Sequence, residues 1–144
     1  MMETLQRLSR LSGPDFIIAA EAVAIAVPLE IALRCMRLDT IVVRLGKASR
    51  VERSGANTLD LERAARLVEA VASFYPLKAT CLKKSLVLFR ILRRRGIPVE
   101  FRLGVSKLHG DFTSHAWLEC QGRVLLGEGM TDRYRPLPAV TRIG

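Results

Sequence analysis

The strongest constraint on the fold of this chain is a change in the spacing of its apolar residues around Gly96 and Pro98. Before this point, "TCLKKSLVLFRILRRRGIP" has apolar residues at intervals of three and four, the period of an amphipathic helix. After it, "VEFRLGV" alternates apolar residues with polar or small ones, as a strand does. Thr80 is a suitable N-cap, and Gly96 with Pro98 is a stop signal. A helix therefore ends here and a strand begins.

Two more helices are predicted upstream of Thr80. The segment "TLDLERAARLVEAVASFY" has helical apolar spacing, with Thr58 or Asp60 as N-cap, and this helix should end before Pro76. The segment "RLDTIVVRLGKASR" predicts a short helix that begins at Asp39 or Thr40 and ends near Gly46.

The apolar run "FIIAAEAVAIAVPLEIAL" raises the question of a membrane span. It carries Glu21 and Glu30 and is interrupted by Pro28, whereas a spanning helix needs about 20 apolar residues with few or no charges. Glu21 also argues against a signal peptide. We interpret the run as a buried core helix that is kinked or divided near Pro28, without membrane insertion.

Downstream of Pro98 the sequence predicts antiparallel strands. After "VEFRLGV" come "FTSHAWLEC" and "RVLLG", separated by the turn-like "KLHGD" and by Gln121-Gly122. The basic "RYRPLP" tail is expected to be a surface segment. Helices followed by an antiparallel sheet define an α+β class. We predict one domain over residues 1–144, helical in 1–96 and with strands in about 98–128.

Composition limits the function without selecting one. Lys and Arg number 23 against 14 acids, a net charge of +9, so anionic or acidic partners are favoured. Nucleic-acid binding is a remote alternative, motivated by this charge and by the basic end of the helix before Gly96, since no recognition motif accompanies it and aromatics are few. The three cysteines are an odd number without a C-x-x-C pair, which predicts neither disulfides nor a metal site, in a reducing cytoplasm.

Cys81 is the first candidate for chemistry. It begins the helix that follows Thr80, where unpaired backbone N–H groups and the helix dipole favour an anion. Lys83 and Lys84 lie in the same turn and add positive potential, so both features favour the reactive thiolate. The alternative is a small apolar residue packed at a helix start.

His115 is the second candidate. In "FTSHAWLEC" the strand alternation places His115 and Trp117 on the face opposite Ala116, Leu118 and Cys120. A strand histidine with an aromatic neighbour is a candidate general base for an upstream cysteine. The alternative is a structural histidine.

Two segments, "TCLKKSLVLFRILRRRGIPVEFRLGV" and "FTSHAWLECQGRVLLG", together resemble the lasso-peptide leader peptidases, a family of transglutaminase-like domains. The resemblance covers about residues 64–126. It implies a papain- and transglutaminase-like fold and a Cys-His-acid triad in which Cys81 is the nucleophile and His115 moves the proton. The family's acid follows the histidine strand, where this chain offers Glu128 and, as the alternative, Asp132. Trp117 is assigned to substrate binding.

The resemblance also implies partners and a reaction. The family removes the leader from a ribosomally made precursor peptide, and a separate ATP-dependent cyclase then closes the ring. A small winged-helix protein captures the leader; the first 50 residues are too apolar and too short for that module, so a separate recognition protein is expected. No cofactor is implied. Two alternatives stay open: an acyl transferase on the same fold, and a binding module without activity.

Overall fold

The computed structural model describes residues 12–47, 58–74, 78–108, 110–126 and 131–138. In these residues, four helices come first: α1 (Gly13–Cys35), α2 (Leu38–Leu45), α3 (Thr58–Phe74) and α4 (Cys81–Arg94). An antiparallel sheet follows, formed by β1 (Glu100–Leu108), β2 (Asp111–Cys120), β3 (Arg123–Val124) and β4 (Arg135–Pro136), in the order β3-β2-β1-β4. The predicted α+β class is confirmed.

Helix α4 lies at the centre of the fold and begins and ends where the sequence predicts. Thr80 is the N-cap, and its hydroxyl oxygen accepts a hydrogen bond from the Lys83 N–H at 3.4 Å. Gly96 follows the helix with a φ of 72°, a conformation that glycine adopts without strain. One face of α4 is fully buried and joins the core through Leu86, Leu88, Phe89, Ile91 and Leu92.

The sheet packs on α4 through one face. Phe101 of β1 and Ala116, Leu118 and Cys120 of β2 are buried in the core, as the alternation predicts. Phe112, near the start of β2, is 78% exposed. The first half of β2 extends beyond the helical layer, so its apolar positions have no helix to pack against.

Helix α1 departs from its prediction. It is one continuous helix of 23 residues with Pro28 inside it, so it is not divided. It is also mostly exposed, because the packing against α3 and α4 covers only the side that carries Asp15, Ala22, Ile25 and Leu29. Pro28 lies on the exposed side, which keeps its ring out of the packed interface.

Helix α2 and the basic end of α4 are joined by hydrogen bonds. The predicted opening of α2 at its Asp-Thr pair is wrong, because the helix begins at Leu38 with Arg37 at the N-cap; its predicted end at Gly46 is confirmed. Arg90 donates to the carbonyls of Leu45 and Lys47 at 3.1 and 3.0 Å. Carbonyls at a helix end lack partners within the helix, so this arginine satisfies them.

The other basic residues of this helix end are also engaged. Arg93 donates to the Gly46 carbonyl at 2.9 Å, and Arg94 and Arg95 form ion pairs with Glu21 of α1 at 3.5 and 2.9 Å. The cluster that the sequence offers as an anion-binding patch therefore joins α1, α2 and α4.

The chain after β2 forms both outer strands of the sheet. The predicted turn at Gln121 and Gly122 is confirmed: both have positive φ values, 51° and 78°, as a two-residue hairpin requires. The "RYRPLP" tail is more than a surface segment, because β4 within it pairs with Gly104 and Val105 of β1. Sequence periodicity could not detect a strand of two residues.

Candidate active site

Cys81 is the first residue of α4, and its side chain is half-buried at the margin of the core. The helix has no acidic residue in its first turn, so no carboxylate there opposes an anion. The backbone N–H groups of this turn and the positive end of the helix dipole lie beside the thiol. This is the environment that the sequence predicts for a nucleophile.

The two lysines of this turn are not free charges. Lys83 forms an ion pair with Glu30 of α1 at 2.6 Å and also donates to the Lys78 carbonyl at 3.2 Å. Lys84 lies 3.7 Å from Glu69 of α3. Each glutamate offsets the positive potential of its lysine, so the helix start itself is the main source of positive potential at Cys81. The lysines instead fix α4 against the two helices beside it.

Ser85 connects the cysteine helix to the histidine strand. Its hydroxyl, on a residue only 1% exposed, donates to the carbonyl of Ala116 at 3.2 Å. Ser85 is one helical turn after Cys81 on the same side of α4, about 6 Å further along the axis. Ala116 is the chain neighbour of His115. This buried hydrogen bond links the turn of α4 that follows Cys81 to the strand that carries His115.

His115 lies between two aromatic rings on the outer face of the sheet. The Trp117 ring is nearly parallel to the imidazole, with centroids 6.0 Å apart. The Tyr134 ring lies closer, with centroids 5.3 Å apart. Tyr134 immediately precedes β4, so the pairing of β4 with β1 holds this ring beside the histidine.

Burial changes the acid-base properties of His115. Removal from water disfavours the imidazolium and lowers the pKa of His115 below its usual 6.5. Its Nε2 atom is buried and has no hydrogen-bond partner among the described residues, and Cys81 is not bonded to it. Cys81 begins the helix that packs on one face of the sheet, whereas His115 lies on the other face, and no hydrogen bond joins the two side chains. Hydrogen bonds between catalytic groups often form only once substrate is bound.

Gly104 is directly opposite His115 in the β1–β2 pairing. A Cβ atom at this position would lie 2.8 Å from two atoms of the Trp117 ring and 2.8 Å from the Tyr134 Cβ. Real Cβ contacts are essentially never this short, so only glycine allows both aromatic residues to close over this strand. Glycine in a strand interior commonly marks such a close approach.

Trp117 is fixed by a polar chain on the same face. The residue is 2% exposed, and its indole N–H donates to Glu119 at 2.8 Å. The other carboxylate oxygen of Glu119 lies 3.3 Å from Arg102 of β1, which also pairs with Glu100 at 2.5 Å. This chain holds the indole in one orientation beside the imidazole. The buried ring has little surface left for a substrate.

Asp132 and Glu128 are the two candidates for the third member of the triad. Asp132 is exposed and lies in a short 3-10 helix, Thr131–Arg133, that leads into Tyr134. No hydrogen bond joins Asp132 to His115. Glu128 lies outside the described residues, so its role stays a prediction.

The remaining cysteines are poor competitors for Cys81. Cys120 is buried in the core, where desolvation raises the pKa of its thiol, and its sulfur contacts the Pro98 carbonyl at 3.4 Å. Cys35 is exposed at the end of α1. Within the described residues, no group of three or more histidine, cysteine or acidic side chains is arranged to hold a metal ion.

Sequence reasoning missed three residues that shape the site. Ser85 interrupts the apolar face of α4 one turn after Cys81, and Gly104 interrupts a strand; both were visible as anomalies in their patterns. Tyr134 had no signal, since its contact with His115 depends on the path of the chain after β3.

A cysteine at a helix start and a histidine on an antiparallel strand of an α+β domain are features of the papain- and transglutaminase-like class of folds. Comparison with known families agrees: residues 23–139 match the model of the Transglutaminase-like superfamily, and the chain belongs to this superfamily. The superfamily includes cysteine peptidases. Comparisons with curated proteins and with solved structures found no match.

Proposed function

We propose that this chain is a cysteine peptidase that removes the leader from a ribosomally made lasso-peptide precursor. Membership of the superfamily supports the cysteine chemistry, and the two sequence segments that resemble leader peptidases support the substrate. The observation that carries the proposal is the Ser85 to Ala116 hydrogen bond, because it ties the Cys81 helix start to the His115 strand.

In the proposed reaction, the thiolate of Cys81 attacks the carbonyl carbon at the leader junction. The oxyanion that forms accepts hydrogen bonds from backbone N–H groups of the first turn of α4. His115 transfers a proton to the departing amine as the C–N bond breaks, which leaves the leader as a thioester on Cys81. Water, activated by neutral His115, then hydrolyses the thioester and restores the thiol.

The surroundings of His115 suit this role. The partly buried ring favours the neutral imidazole, which takes the thiol proton of Cys81 as the thiolate forms and then passes this proton to the departing amine. Trp117 and Tyr134 restrict the orientation of the ring from two sides. Trp117 is better suited to hold His115 than to bind substrate broadly, because it is almost fully buried. Glu128, with Asp132 as the alternative, would orient the imidazole from the following segment.

The proposal includes partners of defined chemistry. A separate winged-helix protein presents the leader, and an ATP-dependent cyclase receives the released core peptide, both in the cytoplasm. Presentation raises the local concentration of the leader at Cys81 and leaves the chemical step unchanged. We therefore expect slow cleavage by the purified chain alone and faster cleavage when the recognition protein is added at low precursor concentration.

The test is cleavage of a candidate precursor peptide, followed by mass spectrometry. Cys81→Ala and His115→Ala should each abolish cleavage while far-UV circular dichroism stays unchanged. Cys35→Ala is the matched control, because this exposed cysteine is outside the site and should keep the parental rate. Cleavage by Cys81→Ala at the parental rate would refute the proposal.

Acyl transfer is the second candidate, favoured by the superfamily itself. A thioester on Cys81 can be resolved by an amine as well as by water. Mass spectrometry in ¹⁸O-labelled water distinguishes the two outcomes. Hydrolysis adds one labelled oxygen to the new carboxyl group of the leader, whereas transfer yields an unlabelled amide.

A further inference from the structure

The outer face of α1 is apolar along its length. Among the described residues of this helix between Phe16 and Ile31, every exposed one is apolar. These are Phe16, Ile17, Ala20, Val23, Ala24, Val27, Pro28 and Ile31. The stretch is about 22 Å long at the helical rise per residue. An exposed apolar face of this extent marks a site of interaction.

The acidic residues of α1 all face the rest of the protein. Asp15 pairs with Arg63 of α3, which lowers the pKa of Asp15 to about 2, and Glu21 pairs with Arg94 and Arg95. Glu30 pairs with Lys83 at 2.6 Å. The helix therefore carries its charges toward the domain and its apolar side chains toward the surroundings, the reverse of an ordinary surface helix.

The apolar face ends in positive charge. Arg34 continues the same side of the helix, three residues after Ile31, and Arg37 follows the helix; their side chains are 74% and 85% exposed. Arg34 lies 3.8 Å from Glu30 and Arg37 lies 3.2 Å from Asp39, but exposed pairs of this kind are weak. With the net charge of +9, this end attracts anionic surfaces.

We propose that the outer face of α1 docks the protein onto the surface of an anionic membrane, with the helix lying in the plane of the interface. Helix α1 is long and apolar enough to cross a membrane by length and composition, with only 11% of its most apolar window buried. Spanning would carry the ion pairs of Asp15, Glu21 and Glu30, and the helices bound to them, into hydrocarbon. An interfacial helix immerses only its apolar face.

The chemistry of the face favours lipid over a protein partner. Protein interfaces carry about one hydrogen bond per 100–200 Å². The exposed residues of α1 from Phe16 to Ile31 offer no side-chain donor or acceptor, and acyl chains require none. The adjacent arginines match the phosphate groups of anionic lipids.

The test is flotation of the purified chain with vesicles of phosphatidylcholine alone or with about one third phosphatidylglycerol. The protein should float with the anionic vesicles, and the Val27→Gln, Ile31→Gln double variant should reduce the bound fraction at least about tenfold. Phe112→Gln is the matched control, since it removes the most exposed large apolar side chain that the structure describes outside α1 and should not alter flotation. Arg34→Gln with Arg37→Gln should lower the preference for anionic over neutral vesicles.

Several results would overturn the proposal. These are no flotation at low salt, equal binding to neutral and anionic vesicles, and wild-type flotation of the double variant. A dimer in analytical ultracentrifugation that the double variant abolishes, with no vesicle binding, would assign the face to a second copy. Circular dichroism of each variant verifies its fold, and its rate of precursor cleavage in vesicle-free solution should stay parental, which separates this test from that of the proposed peptidase.

Discussion

The hydroxyl of Ser85 donates a hydrogen bond to the backbone carbonyl of Ala116 across the buried boundary between α4 and β2. Ser85 is one turn from Cys81, and Ala116 adjoins His115. The two candidate catalytic residues are therefore coupled through backbone elements and not by a direct hydrogen bond. Their relative position depends on how firmly the helix is held on the strand.

We expect Ser85→Ala to lower the free energy of unfolding by about 1–2 kcal/mol, because the Ala116 carbonyl loses a buried partner. The kcat for precursor cleavage should fall by about tenfold through loss of alignment, with little change in the rate of Cys81 alkylation by iodoacetamide. Ser73→Ala is the matched control: it removes an exposed hydroxyl that bonds within α3, so stability should change by less than about 0.5 kcal/mol. Equal effects of the two substitutions would contradict this coupling.

We expect Gly104→Ala to destabilise the protein by about 1–3 kcal/mol, because the added methyl group overlaps the Trp117 ring and Tyr134. Trp117 is the only tryptophan in the chain, so its fluorescence during urea denaturation reports on the site directly. Gly13→Ala is the control, since no atom lies within 4 Å of its Cβ position. A Gly104→Ala protein with wild-type stability and an unchanged emission maximum would show that the aromatic pair is not tightly packed here.

The parts of the fold that rest on local patterns were predictable. The bounds of α4, the hairpin at Gln121 and the helix-start position of Cys81 follow from period, caps and turn residues. The orientation of α1 was not predictable, because the composition of an apolar helix suits a core, an interface or a membrane surface equally well. The contacts of Tyr134 and the pairing of Lys83 with Glu30 join distant segments, and no local pattern encodes them.

Tyr134 should control the titration of His115. We expect the His115 ring signals in NMR to titrate below 6.5, because burial lowers the pKa of this imidazole. Tyr134→Ala uncovers the ring and should raise the pKa toward its usual value, whereas Tyr134→Phe keeps the ring contact and should leave it near the wild-type value. His115→Gln identifies the signals, since only His109 remains. A Tyr134→Ala titration identical to wild type would mean that other residues exclude water from His115.

The lowered pKa of His115 also predicts how the free energy of unfolding depends on pH. Because the pKa of His115 is lower in the folded state, the unfolded chain binds more protons between that value and about 6.5. The free energy of unfolding should therefore decrease as the pH falls through this window and lose its dependence on this group below it. Urea denaturation of wild type and His115→Gln between about pH 5 and 8 measures the difference. A free energy of unfolding that decreases more steeply with falling pH in His115→Gln than in wild type would contradict this prediction.

The acid that orients His115 is expected in the segment that follows β3. The pairing of β2 with β3 sets Glu119 opposite Val124, and the Leu125 N–H donates to the Leu118 carbonyl at 2.9 Å. A turn at Gln121 and Gly122 predicts from the sequence that the acid beside His115 lies near residues 127–130, a window that contains Glu128 and not Asp132. We therefore expect Glu128→Gln to reduce the cleavage rate at least about tenfold with little change in KM, and Asp132→Asn to be near neutral.

Glu128→Gln and Asp132→Asn each replace a carboxylate with an amide of nearly the same shape. Their effects on cleavage can therefore be compared directly. Loss of an orienting carboxylate weakens stabilisation of the imidazolium, so kcat falls, while Cys81 remains available to iodoacetamide. The reverse ranking would assign the role to Asp132, whose segment leads into Tyr134 and so into contact with His115. Two neutral outcomes would leave a Cys-His dyad, in which the Trp117 and Tyr134 rings alone hold the orientation of the imidazole.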